Sequence, residues 1–301
     1  FAVTKLESKI EHTSTGWQTD AFVNVLAKSM AFKVSKGSFI KGKRVKGTLG
    51  VKYSIADNRI TIVTKKLGIG KDKFDIKAYF NLGKKNSLFG LDINTEILWN
   101  DAAHLLDAHI YKILSNFDIK KPIKVNCKIN GDTSVEGDPK IVVKAIIKDN
   151  ELVVPDGVIT DCNFLGEYNN TFKKGLGTSD ENSAVVITNL TGKYRTIPIS
   201  IPNGMIYNLT VPNATGTFKS KFEVKKLNQF INPSIFTFSE GIANVNFKYN
   251  VNIIDLRINK PLFSGDLKVT NASLNYIPKN LVFKNTDLLL RFTEDALIID
   301  N

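Results

Sequence analysis

The chain is poor in the residues that most chemistry depends on. Of its 301 residues only two are cysteines, Cys127 and Cys162. They form no CxxC pair and no Cys/His cluster, so the sequence offers no metal site, and two cysteines do not make a disulfide framework. Histidine occurs three times, as His12, His104 and His109. No HExxH is present, and on a helix His104 and His109 would lie about 140° apart, so they share no face. Arginine is equally scarce: Arg44, Arg59, Arg195, Arg257 and Arg291 stand against 36 lysines. Arginine is the residue suited to bidentate phosphate and guanine contacts, so a Lys-rich, Arg-poor chain argues against sequence-specific nucleic-acid recognition. No apolar run reaches the 18 residues of a membrane-spanning helix.

Catalytic motifs are missing as well. Gly68-Ile-Gly70-Lys71 lacks the spacer and the Ser or Thr of a phosphate loop, and Gly175-Leu-Gly177 fails the same test. Both read as turns. There is no GxSxG nucleophile elbow. A pair of glycosidase carboxylates converges in space rather than in sequence, and nothing singles out two of the acidic residues. The chain is therefore expected to be non-enzymatic and to need no cofactor.

What the chain has is charge and alternation. The formal net charge is +12, from lysines scattered singly, the pattern of solvated strand faces and protected sheet edges. A 43% hydrophobic content is ample for a core. The dominant period is two. From Ala243 to Ile253 the odd positions Val245, Phe247, Tyr249, Val251 and Ile253 are apolar, and the even ones are Asn or Lys. Strict alternation puts the apolar side chains on one face of a strand. These residues would extend roughly 36 Å, about twice a typical strand. Phe74, Ile76, Ala78 and Phe80 repeat the pattern, as do Ile123, Val125, Cys127 and Ile129, and Leu267 and Val269. Apolar residues then switch to even numbers at Ala272, Leu274 and Tyr276, which predicts a bulge near Asn271.

Short polar connections at Ala56–Arg59, Gly83–Asn86, Asp149-Asn150 and Thr191–Lys193 favour antiparallel hairpins over βαβ crossovers. Phe22–Met30 is read as strand and Asn169–Asn182 as a loop. One helix is predicted from about Asp101 to Asn116, with Asn100 or Asp101 as its cap, and a shorter turn at Val224–Ile231. The expected fold is all-β: an elongated, curled antiparallel sheet forming an apolar groove or open barrel, with one or two short helices. It is read as a single segment over 1–301, with the helix at 100–117 as the one candidate divider. Cys127 and Cys162 both have apolar same-parity neighbours, Cys162 with Val158 and Phe164. Two readings stay open for them: buried free thiols, or a disulfide if their strands are neighbours in an oxidising compartment.

Several stretches carry a family resemblance. Asn182–Gly192, Ile197-Pro198-Ile199, Tyr207-Asn-Leu209 and Ala214–Phe218 followed by Leu227-Asn228 resemble the C-terminal part of AsmA-like proteins of Gram-negative bacteria. Gly241–Val251, Pro261–Gly265 and Tyr276–Leu281 continue the likeness, and Ala27–Met30 and Lys36–Phe39 resemble an earlier part. The wider group is similar to TamB and to bridge-like lipid-transfer proteins. The resemblance implies a periplasmic β-groove hung from an inner-membrane anchor, with phospholipid or another acyl-chain lipid as partner and a role in outer-membrane biogenesis. It implies no catalytic residue. The chain begins at Phe1 and is read as an excised or processed segment, so the anchor is expected outside it.

The lipid-lining candidates are Val125, Cys127, Ile129, Val245, Phe247, Tyr249, Val251 and Ile253. The rival readings are a structural or assembly module that engages envelope proteins by strand addition, and a carbohydrate-active β-sandwich.

Overall fold

A computed structural model describes residues 2–30, 40–83, 87–103, 115–135, 137–155, 157–253 and 262–300. The chain is nearly all β, in one antiparallel sheet of 17 strands that is not closed into a barrel. The first nine strands are β1 (Ala2–Thr13), β2 (Gly16–Met30), β3 (Ile40–Ser54), β4 (Arg59–Ile69), β5 (Asp72–Asn81), β6 (Leu88–Ile97), β7 (Asp118–Ile119), β8 (Ile123–Asp132) and β9 (Lys140–Val154). They are followed by β10 (Gly157–Asn169), β11 (Ala184–Tyr194), β12 (Ile197–Tyr207), β13 (Asn213–Glu223), β14 (Phe236–Asn252), β15 (Leu262–Tyr276), β16 (Leu281–Phe292) and β17 (Leu297–Asp300). Successive strands pair antiparallel, and β6 skips the two-residue β7 to pair with β8. The same meander runs from β12 to β17. This is the topology that short polar turns between amphipathic strands dictate.

The chain divides into two compact units. The first comprises residues 1–147, 153–155 and 166–184, and the second residues 148–152, 156–165 and 185–301. The division therefore falls within β9 and β10, not at the helix near 100–117. The described part of that helix is α1 (Trp99–Ala103). Residues 104–114 of its predicted span, with His104 and His109, lie outside the described residues, as do Lys36–Phe39, Lys84–Asn86 and Pro261, while Ser115 and Asn116 stand in a turn and not in the helix predicted to include them. Lys71 Nζ reaches Asp101 at 2.7 Å, tying the start of α1 to the β4–β5 turn.

Most turn expectations hold. Ser54 faces Arg59 across the Ile55–Asn58 turn, Gly70-Lys71 joins β4 to β5, and Val224–Gln229 forms a 3-10 turn. Phe22–Met30 belongs to β2. Two expected turns are instead irregularities inside strands. β9 continues through Asp149-Asn150, where Asp149 takes a φ of 46° and its N–H donates to Asn163 Oδ1 at 2.9 Å. β11 continues through Gly192, because a Cβ there would lie 2.5 Å from Ile159 Cγ2 and 3.0 Å from the Thr160 carbonyl oxygen. The glycine serves close strand approach, and the chain reverses at Arg195-Thr196 instead.

The predicted bulge near Asn271 is present. The β15–β16 register shifts between Val269 and Ala272, and Asn271 has a φ of 50° with its N–H on Asp287 Oδ1 at 2.8 Å. A similar irregularity at Asp161, φ 52°, overturns the expected parity of β10. Cys162 is buried with Ile159, whereas Val158 is 38% exposed. The left-handed residue inserts one extra position and flips everything before it.

Candidate functional site

Antiparallel register lines up the alternating side chains into rows that cross the strands. In the second unit, one row joins Phe218, Phe247, Gly265, Phe292 and Leu297. The next joins Val245, Leu267, Leu290 and Ile299, and a third joins Phe222, Ala243, Val269 and Leu288. Odd-numbered residues on β14 thus face mostly apolar or glycine partners on β13 and β15, with Ser220 opposite Val245 as the polar exception.

Two glycines let the large rings lie on this face. Phe247 and Phe292 meet edge to face at 5.1 Å between ring centroids, on either side of Gly265. Gly265 has a φ of 140°, and a Cβ there would lie 2.1 Å from the Asn246 carbonyl oxygen. Tyr249 lies over Gly216, where a Cβ would come within 2.7 Å of its hydroxyl. An aromatic ring over a cross-strand glycine replaces the packing the glycine lacks. Burial holds the Tyr249 hydroxyl above its ordinary pKa.

Cover over this face is local. The 3-10 turn at Val224–Gln229 lies against β14, where Phe222, Val224, Ala243 and Val245 form a buried cluster with Leu227 and Phe238 packed on it. Phe247 and Leu267 also pack against this cluster but stay half-buried, and Tyr249, Val251 and Leu290 are half-buried as well. Ile253 lies outside β14 and bonds by its N–H to the Pro212 carbonyl at 3.1 Å. Asn252, expected on the polar face, is fully buried, so the strict alternation stops at Val251.

The first unit repeats the design. Ile10, Thr19, Val51, Ile62, Ala78, Leu91, Ile129 and Ile141 follow one another across eight strands. The neighbouring row carries Ile76, Ile93, Cys127 and Val143, and the next carries Thr95, Val125 and Ala145. Ile129 is buried, but Val125 and Cys127 are half-buried. Ile97, Ile119 and Ile123 are buried near α1, whose Trp99 donates its indole N–H to the Phe117 carbonyl at 2.9 Å. Sequence periodicity identified Val125, Cys127 and Ile129 as one strand's face and Val245 to Val251 as another's. The structure assigns the two sets to different units.

The chain exposes 18359 Å². A compact 33.5 kDa monomer would expose about 12,700 Å², and two separate compact bodies of half that mass about 15,300 Å². The excess survives either way of counting.

The two thiols are free. Their strands, β8 and β10, are separated by β9, so the condition for a disulfide is not met. Burial pushes both up to about 11, with the Asp92 carboxylate adding to the effect at Cys127. Since the raised value belongs to the folded state, the contribution to stability is present below pH 9 and lost as the pH rises from 9 towards 11. Ellman's reagent at pH 8 is expected to react slowly with both thiols until the protein is denatured. Rapid reaction of either thiol in the native protein would show that its strand opens.

Among the described residues no group of three or more His, Cys, Asp or Glu could hold a metal ion. Comparison with protein-family models, with curated proteins and with solved structures found no match to this chain.

Proposed function

We propose that the chain holds or conducts lipid acyl chains on the apolar faces of its sheet, as a periplasmic segment serving outer-membrane biogenesis. The observation that carries this reading is the set of cross-strand apolar rows, continuous over many strands and left half-exposed. Burial of each CH₂ on such a face is worth ~0.8 kcal/mol. The contact is non-directional, so a chain can slide along the rows without a head-group site. The AsmA-like resemblance of the sequence supports the same reading, with membrane attachment supplied by an anchor outside this segment.

The test is native mass spectrometry with lipid extraction, on protein purified from a bacterial envelope without detergent. Phospholipid at reproducible stoichiometry is the expected result. A clean apo mass, with no uptake from added liposomes, would end this reading.

One observation favours a second reading, an assembly module. All twelve residues of β1 are exposed, including Val3, Leu6 and Ile10. Such a strand invites pairing with another chain. A protein partner that co-purifies without lipid, and is lost on substituting proline at Leu6, is the outcome this reading requires.

A further inference from the structure

At one end of its strands the second unit gathers exposed apolar and basic side chains. Phe230, Ile235, Ile277, Leu281 and Phe283 are 41–48% exposed. They belong to two segments, the β13–β14 connection and the β15–β16 turn with the start of β16, that contacts bring together. The Ile277 N–H donates to the Ile235 carbonyl at 3.0 Å. The Phe236 and Tyr276 rings lie tilted against each other at 5.0 Å between centroids, and Tyr276 faces Leu281 across the β15–β16 ladder. Asn228 exchanges two hydrogen bonds with the backbone of Phe238. Arg195, at the β11–β12 turn, lies 4.6 Å from the Phe230 ring centroid and donates to the Gln229 carbonyl at 2.8 Å.

The charge at this end is positive. Glu223 is taken by Lys225 at 2.6 Å and Asp161 by Lys193 at 2.9 Å. Glu240 accepts from Ser273. Against it stand Arg195, Lys226, Lys279 and Lys284. Contiguous exposed apolar residues mark a contact surface. Lysine is depleted at the core of protein interfaces but attracted to anionic head groups. Apolar residues on turns, ringed by lysine and arginine, fit the interfacial layer of a bilayer, where the greasy tips enter and the cations stay at head-group level.

We propose that this strand end docks the protein on an anionic lipid bilayer. The proposal goes beyond lipid holding on the sheet face and does not depend on it, because a protein can lie on a membrane without taking lipid out of it.

The test is flotation of the full chain with vesicles of phosphatidylcholine alone and of phosphatidylcholine mixed with phosphatidylglycerol. The chain is expected to float with the anionic vesicles, less so as salt is raised. Lys279→Glu with Lys284→Glu is expected to weaken binding at least about fivefold per lysine. Ile277→Asp with Leu281→Asp is expected to weaken it more than about tenfold. All four positions are exposed, so unfolding midpoints should stay at the wild-type value. Phe247→Asp should float as the wild type does, which separates docking from lipid uptake. Absence of flotation with anionic vesicles would overturn the proposal. So would equal flotation with phosphatidylcholine alone, or wild-type flotation by either double variant.

Discussion

Replacing Phe247 by aspartate is expected to strip acyl lipid from the protein and leave the fold standing. Phe247 is half-buried, on a row between Phe218 and Phe292, and it packs against the buried cluster of Phe222, Val224, Ala243 and Val245 without being buried itself. A carboxylate placed there costs a hydrocarbon contact several kcal/mol, because the charge loses water without gaining a partner. Bound lipid, read by native mass spectrometry, should fall at least about tenfold. The protein itself should lose about 1–3 kcal/mol from the missing ring contacts, measured by urea unfolding. Leu290→Asp, on the adjacent row, should repeat the lipid loss. Retained lipid in both folded variants would mean that lipid lies elsewhere. If both variants fail to fold, the face is closed core and the lipid-holding reading fails with it.

Gly265→Ala should be among the most destabilising single-methyl changes in the chain, at about 3 kcal/mol. Two costs coincide there: a φ of 140° and a Cβ 2.1 Å from a backbone oxygen of β14. A backbone atom in a ladder cannot rotate away as a side chain would. The shift would also carry Phe247 and Phe292 apart, so lipid holding should fall with stability. Gly175→Ala is the control. Its φ is 85°, but a Cβ would meet nothing within 4 Å, so it pays for conformation alone, about 1 kcal/mol. Equal losses in the two variants would show that the close approach of β14 and β15 contributes nothing. The urea midpoint should move with little change in slope, since both variants expose the same surface on unfolding.

The alternation from Ala243 to Val251 is legible from residues alone because a strand's side chains have a period of two, and that period survives every neighbour. The bulge at Asn271 is legible for the same reason, since it changes the phase of a pattern long enough to be seen. Asp161 and Asp149 escaped the same reading. Each puts a left-handed residue into a strand where apolar residues stand on both parities, so no break in phase was visible. Gly192 resembled a turn because glycine marks turns and close strand approach alike. Asn252 is buried at a strand end, where burial follows from what lies opposite and not from the residue.

The sequence by itself determined that the chain is β, that it meanders through short turns, and which side of each long strand is apolar. Those properties follow from local sterics and from side-chain period. The tertiary structure alone decided which strands are neighbours, which residues share a row, and that Val125 and Phe247 belong to separate units. It alone showed that the apolar faces are left half-exposed, because exposure depends on what packs above a sheet, and pairing register and cover are contacts between residues far apart in the chain.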